Sequence, residues 1–184
     1  SGKTTFFNRM ASESKRVGLG PFTTLSTFAR KVRFGASETS ECILIDSIGF
    51  IEDMHPTIVK AFAATLGEIA HSDLILLFVD AGEETPVIAR RCLSMNKILR
   101  EIDADGQLIV CANKIDLVDS EELANVVEAI RERFVGTAVI PISALTGENL
   151  SELFAAITRN ISNVKVTARL PGTFAHARNL VRPE

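Results

Sequence analysis

Two short apolar runs constrain this chain more than anything else in it: "LILLFVDA" over 74–81 and "QLIVCAN" over 107–113. Both fall short of the roughly 18 apolar residues needed to span a bilayer. Both are apolar at consecutive positions rather than alternate ones. A strand with one wet face alternates, whereas a strand buried between two layers is apolar throughout. The stretch between them, roughly 86–102, has the amphipathic period of a helix. Strand, helix, strand with both strands buried describes a parallel pair joined by a crossover, with helices covering both faces of the sheet.

The rest of the chain extends this unit. "CILIDS" (42–47) and "AVIPIS" (138–143) are further strand-length apolar runs. Helical patterns cover roughly 120–134 and 148–161. Another runs from Pro56 to about Ala70, with Ile58, Val59, Phe62, Leu66 and Ile69 on one face. Proline suits a first helical turn, where its missing N–H costs nothing. Ser120 followed by Glu121, Glu122 and Leu123 reads as a helix start, with acids at the positive end of the dipole. The segment Phe28–Phe34 alternates in part and leads into "CILIDS" across a Gly/Ser-containing turn, which predicts an antiparallel hairpin. The expectation is a three-layer α/β domain over residues 1–162, its sheet mostly parallel with one antiparallel strand. Residues 163–184 break the pattern and read as a basic tail or the start of a C-terminal region.

Composition narrows the function classes. The chain has 184 residues, 46% hydrophobic and 23% charged, with a net charge of −3. That is the balance of an ordinary globular domain, without the basic excess that attracts DNA or an anionic membrane surface. Cys42, Cys92 and Cys111 lack metal-ligand spacing and are expected to be buried, reduced thiols.

In a sheet of this kind ligands bind at the carboxyl ends of the strands, which directs attention to the loops after Asp46, Asn113 and Ile142. Each carries a motif. "NKID" at 113–116 follows directly on "QLIVCA". In that pattern Asp116 accepts two hydrogen bonds, from guanine N1–H and N2–H₂. Adenine offers no such pair and would leave the charge unpaired. Asn113 braces the loop, and the Lys114 stem covers the base. "DSIG" at 46–49 places Asp46 to hold Mg²⁺ through water and Gly49 to sense a γ-phosphate through its N–H. "SAL" at 143–145 (Ser143, Ala144, Leu145) presents backbone N–H groups to guanine O6. Ser143 alone reads equally well as a helix N-cap.

At the other end of the sequence, "SGKTT" fits the close of a phosphate-binding loop. Gly2 lets backbone N–H groups approach the phosphates, and Lys3 neutralises the β- and γ-phosphates. The Thr4 hydroxyl ligates Mg²⁺, while Ser1 and Thr5 flank the anion at a helix N-terminus. Between these motifs lies "PFTTL" (21–25), where a switch loop needs a threonine to complete the Mg²⁺ shell. Thr24 is the first choice and Thr23 the second. Phosphate loop, D-x-x-G, N-K-x-D and S-A occur in that order, each at a predicted strand end. Together they predict a P-loop GTPase domain of Ras-like fold, binding GTP or GDP with Mg²⁺ and using Lys3, Thr24 and Gly49 at the reacting phosphate. The strand that opens such a domain would precede Ser1, centrally placed between "CILIDS" and "LILLFVDA". Without it, weak folding or weak nucleotide affinity is expected.

The segment "IDSIGFIEDMHPTIVKAFAATLGEIAHSDLILLFVDAG" (45–82) resembles the HflX family of translational GTPases, and "GPFTTLST" is similar to that family's first switch. The similarity covers residues 1 to about 160. Departures are Ser47 in place of Thr, and Pro21 before Phe22. "PFTTL" is also similar to the Obg family, but the long helix after "GFIED" is not. The resemblance implies a monomeric, cytoplasmic, Mg²⁺-dependent GTPase that acts on the large ribosomal subunit in ribosome splitting or rescue. It implies ribosome contacts mostly through an N-terminal domain and linker helix outside these residues. Phe50 follows Gly49 where Ras-like enzymes use a Gln to orient water. Slow intrinsic hydrolysis follows, on the order of 10⁻⁴ s⁻¹ as in unstimulated Ras-like proteins, or a nucleotide-sensing switch with negligible hydrolysis. Arg30, Lys31 and Arg33 read as a solvated strand face or an rRNA phosphate contact. His55 reads as a turn residue, and His71 as a cation at a helix end.

Overall fold

The computed structural model describes residues 1–11, 28–34, 40–46, 67 and 69–162. In chain order the elements are α1 (Lys3–Ala11), β1 (Phe28–Phe34), β2 (Ser40–Asp46), β3 (Leu74–Asp80), α2 (Thr85–Glu101) and β4 (Gln107–Asn113). A 3₁₀ turn (Ile115–Leu117), α3 (Ser120–Arg131), β5 (Ala138–Ile142) and α4 (Leu150–Ser162) follow. The hairpin is present as predicted, β1 and β2 pairing antiparallel with Phe28 opposite Asp46. The parallel crossovers are present too, in a three-stranded sheet of order β3-β4-β5. Among the described residues the strands form two sheets, and β2 is not hydrogen-bonded to β3.

The consecutive apolar positions of β3 and β4 divide between the two faces of their sheet. Phe78, Ile109 and Cys111 join a core with Phe6 of α1, Val32 of β1 and Leu153, Ala156 and Ile157 of α4. Their neighbours Leu77, Val79, Val110 and Ala112 face the other way, into a core with Ile88, Cys92 and Leu99 of α2 and Val126, Val127 and Ile130 of α3. Side chains alternate along a strand, so a run apolar at every position feeds two cores at once. The first core also joins the two sheets: Cys42 and Leu44 of β2 pack against it. The rings of Phe6 and Phe78 lie 5.2 Å apart and tilted, an arrangement that adds to the area they bury.

Local signals account for the helix boundaries. Pro86 sits in the first turn of α2, where it removes no helical bond. α3 begins at Ser120, as expected, and the residue before it, Asp119, caps it, its carboxylate accepting from the N–H groups of Glu121 and Glu122. A carboxylate offers the orphan N–H groups a charged acceptor, and Ser120 takes the first helical position. Of the helix expected from Pro56 onward, only its end is described: Gly67, Ile69 and Ala70 are helical, and the His71 N–H bonds to the Gly67 carbonyl at 3.2 Å. Cys92 and Cys111 are buried and Cys42 half-buried, all as free thiols. Burial raises the Cys42 and Cys92 thiols to about 11 and pushes Cys111 up as well. Among the described residues no helix is long and apolar enough to cross a membrane. Residues 163–184 lie outside the described residues.

Candidate functional site

Parallel register brings the three strand ends to one edge. Asp80 lies opposite Asn113, and Asn113 opposite Ile142. The loops after β3, β4 and β5 therefore open side by side, and the N-terminus of α1 meets them there.

Asn113 is the centre of this edge. It is fully enclosed, at 1% exposure. Its Nδ2 donates to the Ser1 carbonyl at 2.8 Å, and its Oδ1 accepts from the Ala144 N–H at 2.8 Å. One planar amide thus ties the start of α1 to the loop after β5. The job needs a donor and an acceptor on the same group, which an aspartate or a leucine does not offer. Gly2 rests against the same amide. Its φ is +83°, and a Cβ there would overlap Asn113 Nδ2, so glycine alone fits on both counts.

On one side of Asn113, α1 begins directly after Gly2, with the Phe6 N–H bonded to the Gly2 carbonyl at 3.1 Å. No acidic residue occupies its first turn, and the carboxylate that stands beside that turn is Asp46 of β2. Lys3 reaches back to Ser1 Oγ at 3.4 Å. Burial holds its ammonium below the ordinary 10.5, and the Asp46 carboxylate nearby works in the opposite direction. Thr4 is buried, and its hydroxyl donates to Asp46 Oδ2 at 3.4 Å, long for a bond between oxygens. Asp46 closes β2 and is itself 4% exposed. Thr5 is half-buried next to Thr4. This corner gathers a hydroxyl, a carboxylate, an ammonium and a helix N-terminus.

On the other side the chain turns sharply. Lys114 adopts the left-handed conformation, φ 72° and ψ 36°, which is costly for a residue with a Cβ. The turn leads into the 3₁₀ segment, where Ile115 is buried and Asp116 stands exposed. Asp116 makes no side-chain hydrogen bond among the described residues. The Lys114 ammonium pairs with Asp80 Oδ2 at 2.5 Å, and Asp80 Oδ1 accepts from the Gly82 N–H at 3.2 Å. Ser143, fully buried, folds the last loop: its Oγ accepts from the Thr146 N–H at 3.0 Å, and its carbonyl from the Gly147 N–H at 2.8 Å. It does not cap α4, which begins at Leu150.

Of the residues singled out in the sequence, Ser1, Gly2, Lys3, Thr4, Thr5, Asp46, Asn113, Lys114, Asp116, Ser143, Ala144 and Leu145 thus come to one edge of the fold. Thr24 and Gly49 lie outside the described residues, as do Thr23, Phe50 and His55. Two participants escaped the sequence reading. Asp80 is one; an acid closing a buried strand in register with Asn113 was the available signal. Arg9 is the other; its guanidinium donates to the carbonyls of Ala144 and Leu145. In sequence it was indistinguishable from a basic residue complementing a helix C-terminus.

The chain is similar to several known proteins. The family of 50S ribosome-binding GTPases matches residues 1–114. GTPase HflX of Thermococcus kodakarensis is 39% identical over 165 residues, covering 86% of this chain. GTPase HflX of Hyperthermus butylicus is 37% identical over 90% of the chain, and that of Escherichia coli 30% over 93%. The chain spans 36%, 45% and 39% of these three relatives, less than half of each. A GTP-binding protein of Sulfolobus solfataricus, solved in complex with GDP, superposes with a TM-score of 0.65 at 30% identity, over 86% of this chain and 48% of the other. Aquifex aeolicus Era, solved with GDP·AlF₄⁻, shares the fold with a TM-score of 0.64 at 22% identity, over 86% and 52%. The matched family, the HflX relatives and the P-loop GTPase fold converge: the chain belongs to the 50S ribosome-binding GTPases and is a GTP-binding G domain of the HflX type.

Proposed function

We propose that the domain binds GTP and hydrolyses it slowly to GDP and phosphate, in a cytoplasmic protein that works on the large ribosomal subunit. The observation that carries the nucleotide reading is the Asn113 bridge. A single buried amide joins the proposed phosphate corner to the Ser143–Leu145 loop, and exposed Asp116 follows it three residues on. Guanine specificity follows from Asp116, an exposed acceptor matched to the N1–H and N2–H₂ donors of the base. Lys114 lays its stem beside the base while Asp80 holds its ammonium. The α1 N-terminus and Lys3 take the phosphates.

The Thr4–Asp46 pair is suited to Mg²⁺. The two oxygens are adjacent and buried, and their long mutual bond is readily exchanged for an ion. Among the described residues no group of three or more acids, histidines or cysteines gathers for a metal. That fits an ion completing its shell with water and substrate phosphates. Bound there, it would neutralise charge between the β- and γ-phosphates. In the reaction a water oxygen forms a bond to the γ-phosphorus, and the bond from that phosphorus to the β,γ-bridging oxygen breaks, leaving GDP and inorganic phosphate. Lys3 stabilises the charge that builds on the transferring group. Thr24 and Gly49 are proposed to present the switch contacts to the same phosphate. With Phe50 in the position of a water-orienting Gln, hydrolysis is slow, on the order of 10⁻⁴ s⁻¹, and a ribosomal partner raises it.

Asp116→Asn tests the base assignment. An amide N–H faces the C2 carbonyl of xanthine, so the variant should lose GDP and gain xanthosine diphosphate in calorimetry. A variant that keeps its preference for GDP sinks the assignment. Phe50 also favours a second reading, a GTP-sensing module with negligible turnover. Phosphate release over many turnovers, with and without large ribosomal subunits, separates the two. Splitting or rescue of ribosomes is proposed from the relationship to HflX, and subunit dissociation monitored by light scattering in the protein's presence tests it.

A further inference from the structure

Between Ser143 and Glu148 the backbone donors are spoken for, with one exception. The N–H of Ser143 bonds to the Glu148 carbonyl, that of Ala144 to Asn113 Oδ1 and that of Thr146 to Ser143 Oγ. The N–H of Gly147 takes the Ser143 carbonyl, and that of Glu148 takes Thr146 Oγ1. Only the Leu145 N–H has no protein acceptor among the described residues. The peptide that carries it is the one whose carbonyl, Ala144 O, is gripped by Arg9 Nε at 3.1 Å. Arg9 Nη2 holds the next carbonyl, Leu145 O, at 2.7 Å. A trans peptide is planar, with its C=O and N–H pointing in opposite directions. Pulling Ala144 O toward α1 therefore turns the Leu145 N–H away from it. The loop also passes close to the guanidinium: a Cβ on Gly147 would stand 3.0 Å from Arg9 Nη1, and the backbone there, at φ +94°, favours glycine.

We propose that Arg9 is a positioning residue for guanine recognition: from the last turn of α1 it clamps the Ala144 and Leu145 carbonyls and so aims the Leu145 N–H at the base's O6. The proposal rests on the nucleotide reading above and deepens it. Guanine has an acceptor at that position and adenine a donor, so a fixed N–H there adds discrimination to that of Asp116. The helix that begins at the phosphates thus ends by setting the loop that reads the base. A guanidinium suits the task because its fork reaches two successive carbonyls at once, whereas an ammonium is a single point donor.

Calorimetric affinities for GDP and for 6-thio-GDP, whose sulfur is a poor acceptor, test this in the intact chain. Arg9→Gln should weaken GDP by about tenfold, the worth of one well-aligned hydrogen bond. It should weaken 6-thio-GDP far less, so the preference for oxygen over sulfur collapses toward one. Arg9→Lys should fall between. A purely structural role predicts equal weakening of both nucleotides, tracking a lowered melting temperature, and that result overturns the proposal, as does unchanged GDP binding. Failure of the unaltered chain to bind GDP removes the nucleotide reading and this proposal with it.

Discussion

The proposed base side and the proposed phosphate side of the site differ in how much of their geometry the protein supplies alone. At the base side, Asn113 satisfies both ends of its amide, Ser143 closes its own loop, and Lys114 is held by Asp80. At the phosphate side, Thr4 and Asp46 meet at 3.4 Å, and Lys3 is buried at a cost to its charged form. A preformed reader gives specificity at little ordering cost. A corner where burial disfavours the ammonium gains when an anion arrives. On the proposed function, selectivity comes from the protein's own bonds and much of the affinity from contacts the phosphates complete.

The largest effect should come at the phosphate corner. Lys3→Met removes the charge-assisted contacts to phosphate, at about 3 kcal/mol or roughly 100-fold in GDP affinity. Because burial disfavours the ammonium, the same change should leave the melting temperature of the nucleotide-free chain unchanged or higher. A variant that loses both binding and stability breaks the contrast. The pH dependence has a definite sign. Lys3's folded pKa lies below the ordinary 10.5, so between the two values the unfolded chain holds the proton that the folded chain has shed. Stability due to Lys3 therefore rises with pH through that window, and its burial penalty is fully present below it. Phosphate favours the ammonium, so GDP affinity should fall over the same window. Affinity rising with alkaline pH in the unaltered protein, relative to Lys3→Met, contradicts this.

Asn113→Ala should do the reverse of Lys3→Met. It strands the Ala144 N–H and the Ser1 carbonyl, costing the nucleotide-free fold about 2–3 kcal/mol, with a loss of GDP affinity of about tenfold. Denaturant midpoints without nucleotide check the first number and calorimetry the second. Asp80→Asn should be milder, a few-fold loss of GDP affinity worth about 0.5–1 kcal/mol, because Lys114 is partly exposed. It should shrink as salt rises, and salt-independent weakening would argue against an electrostatic hold on Lys114.

Much of this was legible in sequence because strand pattern and site motif share one cause. A strand buried on both faces must end at a loop, and in a parallel sheet those ends lie together, so "LILLFVDA", "QLIVCAN" and "AVIPIS" announced both sheet and site edge. The hairpin was legible from alternation in Phe28–Phe34. Less legible were contacts between segments far apart in the chain. Asn113 was read as a brace without its partners, and Ser143 as a possible helix cap, because a serine before a turn looks the same in either use. The start of α3 at Ser120 was legible, while its cap, Asp119, is a matter of backbone geometry that the sequence does not display.

The amino-acid order by itself determined the α/β architecture, the motif order and the choice of guanine, since periodicity and hydrogen-bonding chemistry are local properties. Tertiary structure alone decided that Gly2 must be glycine because Asn113 lies against it, that Asp80 restrains Lys114, and that Arg9 grips a loop 135 residues away. Those facts depend on which surfaces folding brings within hydrogen-bond reach, and no local pattern records them.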